Sequence, residues 1–293
     1  MINSILVTGS KGQVGQELHI LSERFPDFHF TWVDLEELDI TDGQAVQDLF
    51  EQHPFRYCIN CAAYTAVDRA EEEKSLAQKV NVDGPAHLAE ACQQYGCHLI
   101  HLSTDYVYHN QGNTPIQEDA ATMPQGVYAA TKLEGDQAVL DKLPSATILR
   151  TSWVYSSFGH NFVKTMLRLG REREQLTIIF DQVGTPTYAH DLAYTILTII
   201  QKASEKEISP LQLGGIYHYS NEGVGSWYDF AHAIFEKAQI NCRVVPIRTA
   251  QYPTPAQRPP FSLLDKAKIK QAFGIEIPHW RDALDRCLKA IDQ

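Results

Sequence analysis

The chain has 293 residues, 44% of them hydrophobic and 21% charged, with a formal net charge of −11. That length suffices for one large α/β domain, or for one such domain with a smaller lobe. The acidic balance excludes a general nucleic-acid or anionic-membrane surface, since both reward clustered Lys and Arg, and no apolar run approaches the roughly 18 residues of a membrane span. An anionic substrate therefore needs a local cationic pocket inside an acidic shell. No basic segment or cleavage site precedes Ile5-Leu6-Val7, so the expected location is the cytoplasm.

In chain order, Ser4–Thr8 reads as a short strand, followed by a glycine turn and a helical pattern from Gln13 to about Glu23. Phe28–Val33 is a second strand, and Thr41 to Gln52 a helix with Thr41 or Asp42 at its N-cap. Tyr57–Cys61 is a third strand, Leu76–Tyr95 one long amphipathic helix, and His98–Ser103 a fourth strand. A helix over Gly126–Leu140 and a strand over Ala146–Leu149 complete the first half. This alternation, with continuously apolar strands, predicts a Rossmann-type doubly wound parallel sheet covered on both faces.

The second half is less regular. Asn161–Arg171, Ala189–Lys202, Trp227–Ala238 and Trp280–Ala290 read as helices, Leu176–Phe180 and Ile216–Tyr219 as strands, and the proline-rich Pro246–Pro260 as loop. The expectation is a dinucleotide-binding domain over residues 1–150 and a substrate-binding lobe over 151–293 above the carboxyl ends of the strands. Some of the later helices return to the sheet, so the boundary near Arg150 is nominal. Cys58 and Cys61, three apart on one strand, point to opposite faces and make a poor metal clamp, as do His98 and His101. Reduced, buried thiols and no metal are expected.

Two motifs carry chemistry. The turn Gly9-Ser10-Lys11-Gly12-Gln13-Val14-Gly15 has the spacing Gly-x2-Gly-x2-Gly directly after the first strand. Such glycines permit a tight turn, let backbone amides approach a pyrophosphate and let the helix pack close to the sheet. Asp34 ends the second strand, where a carboxylate would accept from an adenosine 2′-hydroxyl and favour NADH. Lys11 would offset repulsion of a 2′-phosphate and allow NADPH, so both cofactors stay open; Asp39 and Ile40 would flank the adenine.

The second motif is Tyr128 with Lys132, four apart on one helix face. A free phenol has a pKa of about 10, and a neighbouring ammonium should lower it. Lys132 would also hold the nicotinamide ribose. Thr104, at the end of the fourth strand, would hydrogen-bond a substrate carbonyl. Tyr128 would protonate that carbonyl as the nicotinamide delivers hydride. The pair points to a reductase.

With these residues in view, the chain resembles the extended short-chain dehydrogenase/reductases, and within them the dTDP-4-dehydrorhamnose reductase family. The resemblance rests on Cys61-Ala62-Ala63-Tyr64-Thr65-Ala66-Val67-Asp68, Ser103-Thr104-Asp105-Tyr106-Val107, Val127-Tyr128, Thr131-Lys132-Leu133-Glu134-Gly135 and Arg150-Thr151-Ser152-Trp153-Val154-Tyr155. It continues through Asn161-Phe162-Val163, Asp181-Gln182-Val183-Gly184-Thr185-Pro186-Thr187, Tyr252-Pro253-Thr254-Pro255-Ala256 and Arg258-Pro259, nearly end to end.

The resemblance implies reduction of the 4-keto group of dTDP-4-dehydro-β-L-rhamnose, with Thr104, Tyr128 and Lys132 catalytic. It implies that Ala62, Ala63 and Tyr64 line the cofactor, and that Asp105, Tyr106, Trp153 and Asn161 face the dTDP-sugar. Arg258 would take the diphosphate, since a guanidinium fork matches phosphate oxygens. Ala129 stands where the family often has glycine, and Phe261-Ser262 where it tends to have Asn-Ser. Some members dimerise through a metal held by glutamates; one such position falls near His190 here, so a homodimer is compatible with the resemblance and the metal is not carried over. The alternatives are another nucleotide-sugar 4-ketoreductase or epimerase, and a cofactor-binding regulatory subunit. The complete Thr/Tyr/Lys set disfavours the last.

Overall fold

The computed structural model describes residues 3–109 and 112–292. Its first half contains β1 (Asn3–Thr8), α1 (Gln13–Ser22), β2 (Phe28–Val33), α2 (Gly43–Gln52), β3 (Tyr57–Asn60), α3 (Lys74–Gln78), α4 (Gly84–Tyr95), β4 (His98–Thr104), α5 (Val127–Lys142) and β5 (Thr147–Thr151). There follow β6 (Val154–Tyr155), α6 (Phe162–Glu172), β7 (Gln175–Ile179), β8 (Val183–Gly184), β9 (Thr187–Tyr188), α7 (Ala189–Ser204) and α8 (Pro210–Leu213). The chain ends with β10 (Gly215–Tyr219), β11 (Gly225–Ser226), α9 (Trp227–Lys237), β12 (Arg243–Ile247), α10 (Ala267–Phe273) and α11 (Trp280–Ile291).

Six strands form one sheet in the order β10-β5-β4-β3-β1-β2, all neighbours parallel. Its strands are apolar on both sides because helices cover both faces. Alternation along each strand divides the core: Ile5, Val7, Ile59, Ile100 and Leu149 pack with α1 and α7, while Leu6, Cys58, Leu99 and Ile148 pack with α2, α4 and α5. Burying each such aliphatic side chain stabilises the fold by about 1.5–3 kcal/mol. The strand order reverses between β1 and β3, so a crevice opens outside their carboxyl ends, where open α/β sheets bind ligands. Helix α7 and strand β10, from the second half of the chain, complete this layer.

A second core joins α6, α9 and α11 to the two-stranded parallel pair β7 and β12. Here the structure corrects the loop expected over Pro246–Pro260, because Pro246 and Ile247 belong to β12. β12 pairs only with β7 among the described residues, and a proline is tolerated on such an edge.

The helix expected over Leu76–Tyr95 is also corrected. It is split by a π-helical turn at Lys79–Asp83, in which the Gly84 N–H reaches back to Lys79 O. Pro85 explains the turn: a proline there cannot donate to the carbonyl of Asn81 and its ring would strike it.

Candidate active site

At the crevice, Gly9 (φ +65°) passes so close to the loop that follows β3 that a Cβ on it would lie 2.6 Å from Ala62 N. A Cβ on Gly15 would lie 2.5 Å from Gly9 O. The turn is therefore bare backbone wrapped around the start of α1, whose N-terminus at Gly12 no side chain caps. Exposed N–H groups and the positive end of a helix make an anion cradle. The residues present fit a dinucleotide pyrophosphate.

At the rim, Asp34 accepts the Lys11 N–H (2.8 Å) and the Leu35 N–H (2.9 Å), so its carboxylate braces the turn. The Lys11 ammonium pairs with Glu36 (2.6 Å) and lies 3.6 Å from Glu37. Asp39 is exposed and caps the Thr41 N–H, whereas the Ile40 side chain is buried against Gly84 in the core.

On the other wall, Ala62 and Tyr64 are held by amide side chains. Asn60 Oδ1 accepts the Ala62 N–H (3.0 Å). Asn81, within the π turn, accepts the Tyr64 N–H (2.8 Å) and donates to Tyr64 O (3.2 Å) and Thr131 Oγ1 (3.1 Å). Asn81 thereby ties the Ala62-Ala63-Tyr64 loop to α5. The Tyr64 hydroxyl donates to Glu73. Helix α5 comes so close that a Cβ on Gly135 would lie 2.0 Å from Asn81 O. Glu71 caps α5 from a distance, accepting the Val127 N–H (2.8 Å) next to Tyr128.

Helix α5 and the end of β4 bring Thr104, Tyr128 and Lys132 together. Thr104 Oγ1 accepts the Tyr106 N–H (3.2 Å) and donates to Asp105 Oδ1 (3.1 Å). Tyr128 packs edge-on against Tyr106, with ring centroids 5.4 Å apart. Burial pushes the Tyr128 phenol up to about 12, against the pull of the Thr104 hydroxyl. This corrects the lowering expected from a neighbouring ammonium, because desolvation penalises a phenolate more than its surroundings reward one.

Lys132 is 2% exposed, and its amine donates to Leu102 O (2.8 Å). Burial lowers it to about 8, with Asp136 opposing. Burial also pushes Asp105 up to about 7, against the hydroxyls of Ser262 and Thr104. Ser262 thus serves the site from the position after Phe261. Buried titratable groups with displaced pKa values, gathered in a crevice, mark a site of proton chemistry.

A cleft of about 750 Å³ adjoins this cluster, lined by Asp68, Tyr106, Phe162, Trp227, Tyr252 and Arg258 among others. Arg258 is forked onto Asp68 (2.8 and 2.6 Å) and stands oriented at its wall. Trp153 has left-handed backbone (φ +48°), a strained conformation for a bulky residue. Its indole stacks on Trp227 with centroids 3.7 Å apart. Asn161 does not present its amide to the cleft: it caps α6 at Lys164 N and donates to Gln13 Oε1 (3.0 Å) and Ser156 O (2.7 Å). It joins the glycine turn to the second core. His190 pairs with the buried Glu17 (3.0 Å).

Sequence reasoning missed Asn60, Asn81, Glu71, His101 and Trp227. Pro85 inside a helical pattern signals the irregularity that places Asn81; the others carry no local signal.

The family profile described as RmlD substrate binding domain matches residues 3–293. The dTDP-4-dehydrorhamnose reductase of Aggregatibacter actinomycetemcomitans is 42% identical over 286 residues, covering 96% of each chain. The crystal structure of a dTDP-4-dehydrorhamnose reductase from Clostridium acetobutylicum superposes with a TM-score of 0.92 at 37% identity, over 99% of this chain and 100% of that one. That of the Bacillus anthracis enzyme, in complex with NADP, gives 0.91 at 35% identity over the same shares. A glycine cradle, a Thr/Tyr/Lys cluster and end-to-end likeness agree, and the chain belongs to the dTDP-4-dehydrorhamnose reductase family.

Proposed function

We propose that this protein reduces the 4-keto group of dTDP-4-dehydro-β-L-rhamnose to dTDP-L-rhamnose, with NADPH or NADH as reductant. The observation that carries the reading is the convergence of Thr104, Tyr128 and Lys132 between the glycine cradle and the 750 Å³ cleft. Backbone N–H groups at Gln13 and Val14, at the uncapped start of α1, would hold the pyrophosphate, while the Gly12 N–H closes the turn onto Gly9 O (3.0 Å). The bound nicotinamide supplies the hydride for C4.

Thr104 orients the ketone oxygen and Tyr128 gives it a proton. A phenol at about 12 is fully protonated near neutrality. The developing alkoxide is more basic than phenolate, so the proton moves downhill. Lys132 holds the nicotinamide ribose beside Tyr128. Tyr106 and the Trp153–Trp227 stack present apolar ring faces to the sugar, and Arg258, oriented by Asp68, faces the diphosphate. Cofactor preference is a contest between Glu36 and a 2′-phosphate for Lys11.

The test is loss of reduced-nicotinamide absorbance with NADH and NADPH in parallel, against substrate generated in situ. Product is compared chromatographically with authentic dTDP-L-rhamnose. Turnover to that product is expected. Cofactor binding with no turnover would overturn the reading and point to a different 4-keto sugar.

A further inference from the structure

Lys132 is packed against buried polar side chains that the reduction above does not use. Asn60 (1% exposed) receives the Ala62 N–H at 3.0 Å and the Thr8 hydroxyl at 2.7 Å on one end of its amide. A backbone N–H can only donate, so that end is the carbonyl oxygen and the other is the NH2. The NH2 meets Nδ1 of His101 at 2.9 Å. Nδ1 is therefore the acceptor, and a neutral imidazole then carries its proton on Nε2. His101 is fully buried and beside a cation, which holds it well below its ordinary value and neutral.

Nε2 lies 3.3 Å from Lys132 Nζ and 3.9 Å from Asp136 Oδ1, an oxygen without a hydrogen-bond partner among the described residues. A neutral amine can accept the imidazole N–H, while an ammonium, which has no lone pair, meets it donor to donor. We propose that Asn60 and His101 are positioning residues for Lys132: the Asn60 amide locks His101 as the Nε2–H tautomer, and that N–H biases Lys132 toward the neutral amine. The proposal rests on the reading of Lys132 as the partner of Tyr128 and the ribose.

The charged and titratable groups around the amine are Tyr128 and Asp136 on α5, His101 on β4 and Arg150 on β5, with Tyr108 and His218 beyond Arg150. Asp136 is ion-paired with Arg150 (3.0 Å) yet still favours the ammonium of Lys132, so it opposes the imidazole N–H. Burial, with Asp136 opposing, holds Lys132 at about 8, and the imidazole N–H acts in the same direction as burial. The lock also bars a relay. A proton could cross His101 only by placing N–H on Nδ1 against the Asn60 N–H.

Asn60→Asp is the decisive variant. A carboxylate there still accepts from Ala62 and Thr8, but it also accepts from Nδ1–H, so the tautomer inverts and Nε2 turns a lone pair toward Lys132. In [15N]histidine-labelled wild type, assigned with His101→Phe, Nε2 should be protonated and Nδ1 not, from about pH 6 to about pH 9. In Asn60→Asp the two should exchange. The Lys132 Cε resonance of [13C]lysine-labelled protein should titrate about one unit higher in Asn60→Asp, and higher also in His101→Phe. The alkaline limb of kcat/KM should follow. A wild-type His101 bearing its proton on Nδ1 would overturn the proposal, as would an unmoved Lys132 titration in either folded variant. If Lys132 titrates higher while the alkaline limb stays in place, the lock stands and the catalytic reading of Lys132 falls.

Discussion

Tyr128→Phe removes one oxygen atom and tests the proton donor directly. The ring keeps its edge-on packing against Tyr106 at 5.4 Å, and the Val127 N–H keeps its bond to Glu71. Helix α5 should therefore hold its place, and melting temperature and cofactor affinity should stay near wild type. What disappears is the acid that meets the developing alkoxide. Loss of a positioned general acid lowers turnover by about 10²–10⁴-fold, equivalent to about 3–5 kcal/mol of transition-state stabilisation. The upper part of that range is expected, because burial holds the phenol at about 12 and almost wholly protonated in the wild type. Thr104, which must turn its one hydroxyl proton from Asp105 to orient the carbonyl, offers no ready substitute. KM should change little, since the groups that bind the sugar and nucleotide remain. Steady-state rates with saturating reduced cofactor measure both constants. A kcat within about threefold of wild type would refute the assignment of Tyr128 as proton donor.

The buried carboxyl of Asp105 predicts a pH-dependent stability difference. Its folded value of about 7 lies above the unfolded 3.8, so the native state binds more protons in between and loses stability as pH rises through that window. Asp105→Asn should melt higher than wild type at about pH 8, with the gap closing toward about pH 4; a pH-independent gap in thermal melts would contradict this. Gly135→Ala places a Cβ 2.0 Å from Asn81 O, a backbone atom that cannot swing away. It should cost about 1–3 kcal/mol and lower kcat, because Asn81 links Tyr64 to α5; an unchanged urea midpoint would show that the two helices yield freely.

The second half of the chain shows where the reach of a sequence ends. Ile216–Tyr219 is legible as a strand from its residues, yet nothing in them says that β10 pairs with β5, over sixty residues earlier. Likewise the charges Lys11, Asp34, Glu36 and Glu37 are plain to read, but only the folded rim assigns Lys11 to Glu36 and sets the Asp34 carboxylate on the Lys11 N–H. Asn161 reads as a substrate contact and is instead consumed as a cap and a brace.

Local patterns in the chain encode the parallel α/β architecture, the glycine cradle and the spacing of Tyr128 and Lys132 on one helix face. Each is written in a local period or spacing: two for a strand, four along a helix, glycine wherever a backbone must come close. Tertiary structure alone decided the protonation chemistry. A neighbouring ammonium lowers a phenol in any sequence, but Tyr128 is raised because desolvation depends on what surrounds it. The lock of Asn60 on His101, the reach of Glu71 to α5 and the stack of Trp227 on Trp153 join residues 41, 56 and 74 positions apart in the chain. No local pattern encodes such meetings, because they exist only once the sheet and its helices have packed.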